Sequence, residues 1–235
     1  MADGEDHFFL MADYAKDVID IREQFPLFPE ECTQAIARHL GIRHPRYPHS
    51  KIPLVMTTDF LLTVIDATGH RSYRAISVKR AADLNGKRRK RILEKLEIER
   101  RYWQMRSVPW HLITNHDFDE TMVTNLEWLH YVAVEHDFGA SSIEIYIAPF
   151  IAALRAASQE GTPLKQILHA CAASLGGIDT EFVYQLFRHC AWHHFIELDL
   201  TTLIGPRYTP KILAYANDTA LHALKGVRHE YRRVS

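Results

Sequence analysis

The sequence predicts an α/β fold, a mixed sheet flanked by helices, followed by a mainly helical C-terminal region. Three observations carry this. Two β-branched, apolar arms flank a break at Ala67-Thr68-Gly69, which reads as a hairpin over 57–79. Short strand-like and helix-like stretches alternate on either side of it. From about residue 138 the apolar positions recur at helical spacing instead.

In chain order, residues 5–14 carry Phe8, Phe9, Leu10, Met11 and Ala12, a short buried helix with Glu5 in its first turn. Residues 17–21 read as a brief strand, and 24–29, broken by Pro26 and Pro29, as an extended loop. Residues 30–40 are helical by periodicity, with Ile36 and Leu40 inward. His44-Pro45-Arg46-Tyr47-Pro48-His49 is an irregular, basic loop ahead of the hairpin. After the hairpin, a long helix is expected over 88–105, with Ile92, Leu96 and Trp103 on one side. A strand over 109–114 and a helix over 121–131, around Val123, Leu126 and Leu129, complete this part.

The boundary is placed near 136, giving units 1–136 and 137–235. Residues 145–157 are apolar on one face. Thr162 is expected to cap a helix with Pro163 at its first position, closing at Gly176-Gly177. Asp179-Thr180 caps the next, through Phe182, Leu186 and Phe187. Residues 194–200 read as an exposed strand, and two helices followed by a strand form a winged-helix pattern. Few basic residues on its second helix favour a protein partner over DNA. The tail, 225–233, is basic.

Composition excludes some classes. Hydrophobic residues make up 47% and charged ones 24%, enough for a sizeable core. No apolar run approaches the ~20 residues of a membrane span, and the acidic start Asp3-Gly4-Glu5-Asp6 is unlike a signal peptide. Cys32, Cys171 and Cys190 are odd in number and widely spaced, which suits a reducing cytoplasm. Cys190 with His193 and His194 lacks a second ligand pair at short spacing, so packing is the better reading than zinc. The net charge of -1 gives no global attraction for nucleic acid; any DNA contact must be local.

The chemistry concentrates at the hairpin. A three-residue loop closed by Gly69 pairs Asp66 with His70, and in that register Asp59 faces Ser77. Side chains two apart share a face, so Lys79 joins them; a four-residue loop would send Lys79 to the other face. A carboxylate and a lysine at strand ends suit metal-dependent phosphodiester hydrolysis. The Asp holds Mg²⁺, which keeps several waters, and the Lys serves the nucleophile or the developing oxyanion. The plainer alternative is an ordinary hairpin with a surface Asp and Lys. Against it, Asp59 interrupts an apolar strand, where an unpaired carboxylate is expensive.

A second feature follows. Lys87, Arg88, Arg89, Lys90, Arg91, Lys95, Arg100 and Arg101 face only Glu94, Glu97 and Glu99, a net of +5 over this stretch. It reads as a phosphate-tracking patch or as a solvated helix face. Lys87, Arg88, Arg89, Lys90 and Arg91 are the DNA-binding candidates. Glu97 and Glu99 are within reach of a metal, though helix salt bridges such as Glu97 with Arg101 are the default.

Three stretches resemble the TnsA family, the endonuclease subunits of heteromeric cut-and-paste transposases. They are 17–27, from Asp17-Val18-Ile19-Asp20 to Leu27; Thr57-Thr58-Asp59-Phe60; and 93–104, around Leu93-Glu94-Lys95-Leu96. The resemblance is strong over 5–112 and weaker beyond. It implies a restriction-endonuclease-like nuclease domain of the PD-(D/E)XK type, followed by a winged-helix domain. It also implies catalysis by Glu5, Asp59 and Lys79, with Glu5 fifteen positions before Asp20. The metal shell would be Glu5, Asp59, Ser77 and the Val78 carbonyl, with two Mg²⁺ ions (Mn²⁺ substituting) bridged by Asp59. Ser77 departs from the pattern, since related enzymes carry Gln, Asp or Glu there. A long leader before Glu5, with its DNA contacts, is expected to be missing.

The implied function is cleavage of the 5′, non-transferred strand at transposon ends, in the bacterial cytoplasm, on the nucleoid when acting. A DDE-type transposase would cut and join the 3′ ends, and an AAA+ ATPase regulator would contact the C-terminal domain. No membrane is implied. Two alternatives stay open: a catalytically degenerate module bridging transposase and ATPase, which Ser77 favours, and a stand-alone restriction or repair nuclease.

Overall fold

The computed structural model describes residues 3–135 and 143–217. The chain divides into two compact units, Met1–Phe118 and Asp119–Ser235. The boundary expected at 136 and the basic tail 225–233 lie outside the described residues.

The first unit runs α1 (Asp3–Tyr14), β1 (Val18–Pro26), α2 (Glu30–His39), β2 (Thr57–Ile65), β3 (Arg71–Lys79), α3 (Ala81–Asn85), α4 (Arg89–Gln104) and β4 (Trp110–Thr114). Its four strands form one mixed sheet in the order β1-β2-β3-β4. The β1–β2 and β2–β3 pairs are antiparallel, and β3–β4 is parallel. A parallel pair needs a crossover, which α3 and α4 supply.

The hairpin turn sets the register. The Gly69 amide donates to the Asp66 carbonyl and the Asp66 amide to the His70 carbonyl, both at 3.0 Å. Gly69 takes φ +85°, a conformation that a side chain would disfavour. Phe60 then stands opposite Ile76, Leu61 opposite Ala75 and Leu62 opposite Arg74. This is the register that a three-residue loop requires. Alternation along the strands splits the core in two. Phe60, Leu62, Val64, Ile76 and Val78 pack with Phe8 and Ala12 of α1. Leu61 and Ala75 face the other way, packing with Ile36 and Ala37 of α2 and with Ile98, Tyr102 and Trp103 of α4.

Two sequence expectations for strands need correction. β1 does not end at 21: Phe25 pairs with Thr58 and Pro26 with Thr57, so the stretch read as a loop continues the strand. β1 is an edge strand, where a proline at the end costs no central ladder bond. The strand expected to be exposed over 194–200 is β5 (Ile196–Leu198), whose Ile196 and Leu198 are both buried.

The second unit holds α5 (Glu120–Glu135), α6 (Ile143–Ala157), α7 (Leu164–Ser174), α8 (Thr180–Trp192), β5 and β6 (Ile212–Tyr215). β5 and β6 pair antiparallel. Pro163, not Thr162, occupies the N-cap of α7, and no side chain caps that end. Asp179 caps α8 as expected, accepting from the Glu181 amide. Gly176 and Gly177, both at positive φ, return bonds to the carbonyls of Ala173 and Ala172 and end α7. Trp128 of α5 packs against Phe187 of α8, with the Arg188 guanidinium 4.1 Å over its ring. The buried Asn125 amide donates to the carbonyls of Leu200 and Thr202 and accepts from the Ile204 amide. That fastens the segment after β5 to α5.

Phe60 is 2% exposed and its ring lies 5.0 Å from that of Phe8. Phe60→Ala should destabilise the first unit by about 3–5 kcal/mol, read as a lowered urea midpoint. A loss below about 1 kcal/mol would contradict the packing described.

Candidate active site

The strand ends bring Asp59, Val78 and Lys79 together. One Asp59 oxygen, Oδ2, accepts from the Val78 amide at 2.8 Å and from the Lys79 ammonium at 2.7 Å. Lys79 Nζ also donates to the Val78 carbonyl at 2.7 Å. The Asp59 side chain is only 12% exposed and that of Lys79 31%, so the pair is shielded enough for its geometry to matter. A carboxylate and a carbonyl oxygen thus converge on a single cationic centre.

Glu5 approaches from α1. Gly4 lets the helix come close: a Cβ there would sit 3.2 Å from Val78 Cγ1. Burial, and next the negative charge of Asp59, push the Glu5 carboxyl above its ordinary range, while the Lys79 charge opposes them. The Glu5 carboxyl therefore feels the Asp59 charge, with the Lys79 charge acting against it. Such an arrangement is favourable to a bound cation.

Ser77 shares the face of Asp59 and Lys79 but turns toward α4. It is 1% exposed, and its Oγ donates to Glu99 Oε1 at 2.5 Å. The same carboxylate oxygen accepts from Thr58 Oγ1 at 2.7 Å and Trp110 Nε1 at 3.0 Å. Trp103 Nε1 donates in turn to Thr58 Oγ1 at 2.6 Å. Burial raises the Glu99 carboxyl above its usual range; the bonds from Ser77, Thr58 and Trp110 pull against this, and the Asp59 charge adds to it. Glu99 therefore forms a buried polar layer directly beneath the strand ends. Leu96, Glu99 and Trp103 fall at i, i+3 and i+7 of one helix face, so a carboxylate on an apolar stripe is the sequence signal for it. Thr58 and Trp110 carried no comparable signal.

Glu97 behaves differently. It accepts from Arg100 at 2.7 Å through both oxygens and from Arg101 at 2.8 Å. The Arg100 bond, before all else, holds its carboxyl down at about 2. The salt bridge with Arg101 expected from sequence is present. Among the proposed DNA contacts, Lys87, Arg88, Arg89 and Lys90 are exposed at the start of α4. Arg91 is half-buried and engaged, donating to the Arg43 carbonyl at 2.6 Å and to Glu94 at 3.0 Å. Among the described residues, no cluster of three or more His, Cys, Asp or Glu side chains is arranged to hold a metal. Cys190 is fully buried, which pushes its thiol upward.

Residues 15–115 match the family described as TnsA-like endonuclease N terminal. That range holds Asp59, Ser77, Val78, Lys79 and the basic start of α4. Over that stretch the chain is similar to a TnsA-like endonuclease N-terminal domain. Over 135 residues it is also 42% identical to the Transposon Tn7 transposition protein TnsA of Escherichia coli. The match covers 57% of this chain and 46% of that protein, a little under half its length. Glu5 lies ahead of the matched residues.

The carboxyl of Glu97 falls from an ordinary 4.5 to about 2 on folding. Its contribution to stability is therefore complete above 4.5 and fades as pH drops toward 2. Glu97→Gln should flatten the stability–pH profile across that window, measured by urea unfolding at stepped pH. An unchanged slope would show that the Arg100 and Arg101 contacts do not persist in solution.

Proposed function

We propose that this chain is the endonuclease subunit of a heteromeric cut-and-paste transposase, cleaving the 5′, non-transferred strand at the element's ends. The observation that carries this reading is the convergence of Asp59, Val78 and Lys79 at the strand ends of a TnsA-like domain. On this reading the sheet with α1 and α4 against its two faces is a restriction-endonuclease-like nuclease domain, and Glu5, Asp59 and Lys79 are its catalytic residues.

The residues fit a hard divalent cation. The Asp59 carboxylate and Val78 carbonyl already accept from one ammonium at 2.7 Å each, and Glu5 adds a carboxyl raised by burial and then by Asp59's charge. With so few side-chain ligands, the donor set suits Mg²⁺, which keeps several waters, with Mn²⁺ able to replace it. When bound, such an ion activates water and offsets charge on the scissile phosphate. Glu5 and Asp59 would hold it, and the Val78 amide fixes the Asp59 carboxylate in place. Lys79, tethered to Asp59 and the Val78 carbonyl, presents its positive charge to the attacking water or the phosphoryl oxygens. Ser77 supports this arrangement from below through Glu99.

The wider assignment extends to partners. A DDE-type transposase would cut and join the 3′ ends, and an AAA+ ATPase regulator would dock on the C-terminal unit. There α7, α8 and the β5–β6 pair support a winged-helix module. Action would be on DNA in the bacterial cytoplasm. No helix among the described residues is long and apolar enough to cross a membrane. A second reading, a degenerate module bridging transposase and ATPase, is favoured by Ser77, whose hydroxyl stands where a carboxylate or amide would be a stronger ligand.

Asp59→Ala and Lys79→Ala, checked for folding by circular dichroism, should abolish 5′-strand cleavage and leave 3′ joining by the partner transposase intact. The product should shift from simple insertion to a cointegrate, in which the element stays attached to its donor. Identical products from wild type and Asp59→Ala, with all partners and Mg²⁺ or Mn²⁺ present, would leave the bridging module as the function.

A further inference from the structure

Away from Asp59 and Lys79, a cavity of about 510 Å³ opens between the 43–51 loop and the start of α4. Arg43, His44, Arg46, His49, Lys51 and Arg91 line it, and no carboxylate does among the described residues. The loop is built, not loose. The Tyr47 amide donates to the Ile52 carbonyl at 3.1 Å and the Leu54 amide to the Pro45 carbonyl at 3.0 Å. His44 spends both ring nitrogens on the protein, one on the Pro45 carbonyl at 2.9 Å and one on Thr33 Oγ1 of α2 at 3.0 Å. Arg91 ties the loop to α4 through the Arg43 carbonyl. His44 and Arg91 are thus wall and clamp, while Arg43, Arg46 and Lys51 remain exposed at the rim.

The nearby carboxylates do not neutralise the rim. Glu94 is bonded to Arg91, and Glu30 acts on His44. Gathering like charges on an ordered loop is unfavourable without a counter-charge. Arg91 and Glu99 lie on one helix, eight residues apart, about 12 Å along the axis at 1.5 Å per residue. The cavity is therefore a place separate from the catalytic cluster. Exposed Lys87, Arg88, Arg89 and Lys90 sit just before Arg91 in the chain, so the cavity continues a cationic track suited to a polyanion.

We infer that this cavity is a second DNA anchor, in which Arg43, Arg46 and Lys51 grip backbone phosphates of the duplex outside the cleavage point. The inference rests on the endonuclease reading above. It reads no bases, because contacts to phosphate position a protein without specifying sequence.

The test uses the full chain and duplex DNAs of unrelated sequence across a salt series. Arg46→Ala/Lys51→Ala should weaken all duplexes alike, roughly tenfold or more near 0.1 M salt. It should also reduce the slope of log affinity against log salt by about two units. The charge-keeping pair Arg46→Lys/Lys51→Arg should retain the wild-type slope, which separates lost charge from lost folding. Wild-type binding with the alanine pair unchanged in slope overturns this proposal alone. No DNA binding by wild type overturns it together with the endonuclease reading. Inorganic phosphate supplied alone distinguishes the source. Tight phosphate binding that the alanine pair abolishes, with DNA slopes unchanged, would make the cavity a free-phosphate site and overturn the DNA anchor.

Discussion

The three-residue turn closed by Gly69 decides which residues of β3 stand opposite Asp59. With one residue more, the pairing would slip and Lys79 would move to the opposite face of the sheet, since side chains alternate with a period of two. Everything at the strand ends inherits this constraint. Asp66 reinforces it by accepting from the Thr68 hydroxyl and from the amides of Thr68 and His70, contacts that depress its carboxyl below the ordinary range. The α1 face of the same strands then fills with Phe60, Ile76 and Val78, so a slipped register would also expose the core.

Within that frame three carboxylates lie close enough to influence one another. Asp59 is paired with Lys79, Glu5 is raised by burial and Asp59, and Glu99 is raised by burial under three hydrogen bonds. A fold selected for stability alone has little use for such a cluster, because each partly buried charge carries a desolvation cost. Carboxyls raised by burial beside a further carboxylate, as Glu5 and Glu99 are, occur more often at functional sites. Glu99 is best understood as a positioning group: it touches Ser77 and Thr58, the neighbours of Val78 and Asp59, and so fixes the ends of both strands.

The hairpin and α4 were legible because their signals are local: β-branched arms around a glycine, and apolar residues at helical spacing. The extension of β1 through Phe25 and Pro26 was not, because edge position, a property of the whole sheet, makes a strand-end proline tolerable. β5 looked exposed because Glu197 and Asp199 alternate with its apolar residues; pairing with β6 buries Ile196 and Leu198. At the strand ends, the meeting of Asp59 with Lys79 followed from register alone, whereas the Val78 carbonyl was implied only by the family resemblance. Ser77 was assigned toward a metal, but its hydroxyl meets Glu99, a contact made by a helix twenty-two residues later in the chain. Arg91 likewise read as one more free cation in a run, and only the folded loop shows it clamped to the Arg43 carbonyl.

The central claim is that Asp59 and its neighbours form a cation-binding centre that Lys79 completes without being a ligand. Mn²⁺ titration of the full chain, followed by electron paramagnetic resonance, addresses it without partners or DNA. Wild type and Lys79→Ala should both take up Mn²⁺, and Asp59→Asn should lose that uptake while remaining folded. Mn²⁺ uptake by Asp59→Asn equal to that of wild type would contradict the account.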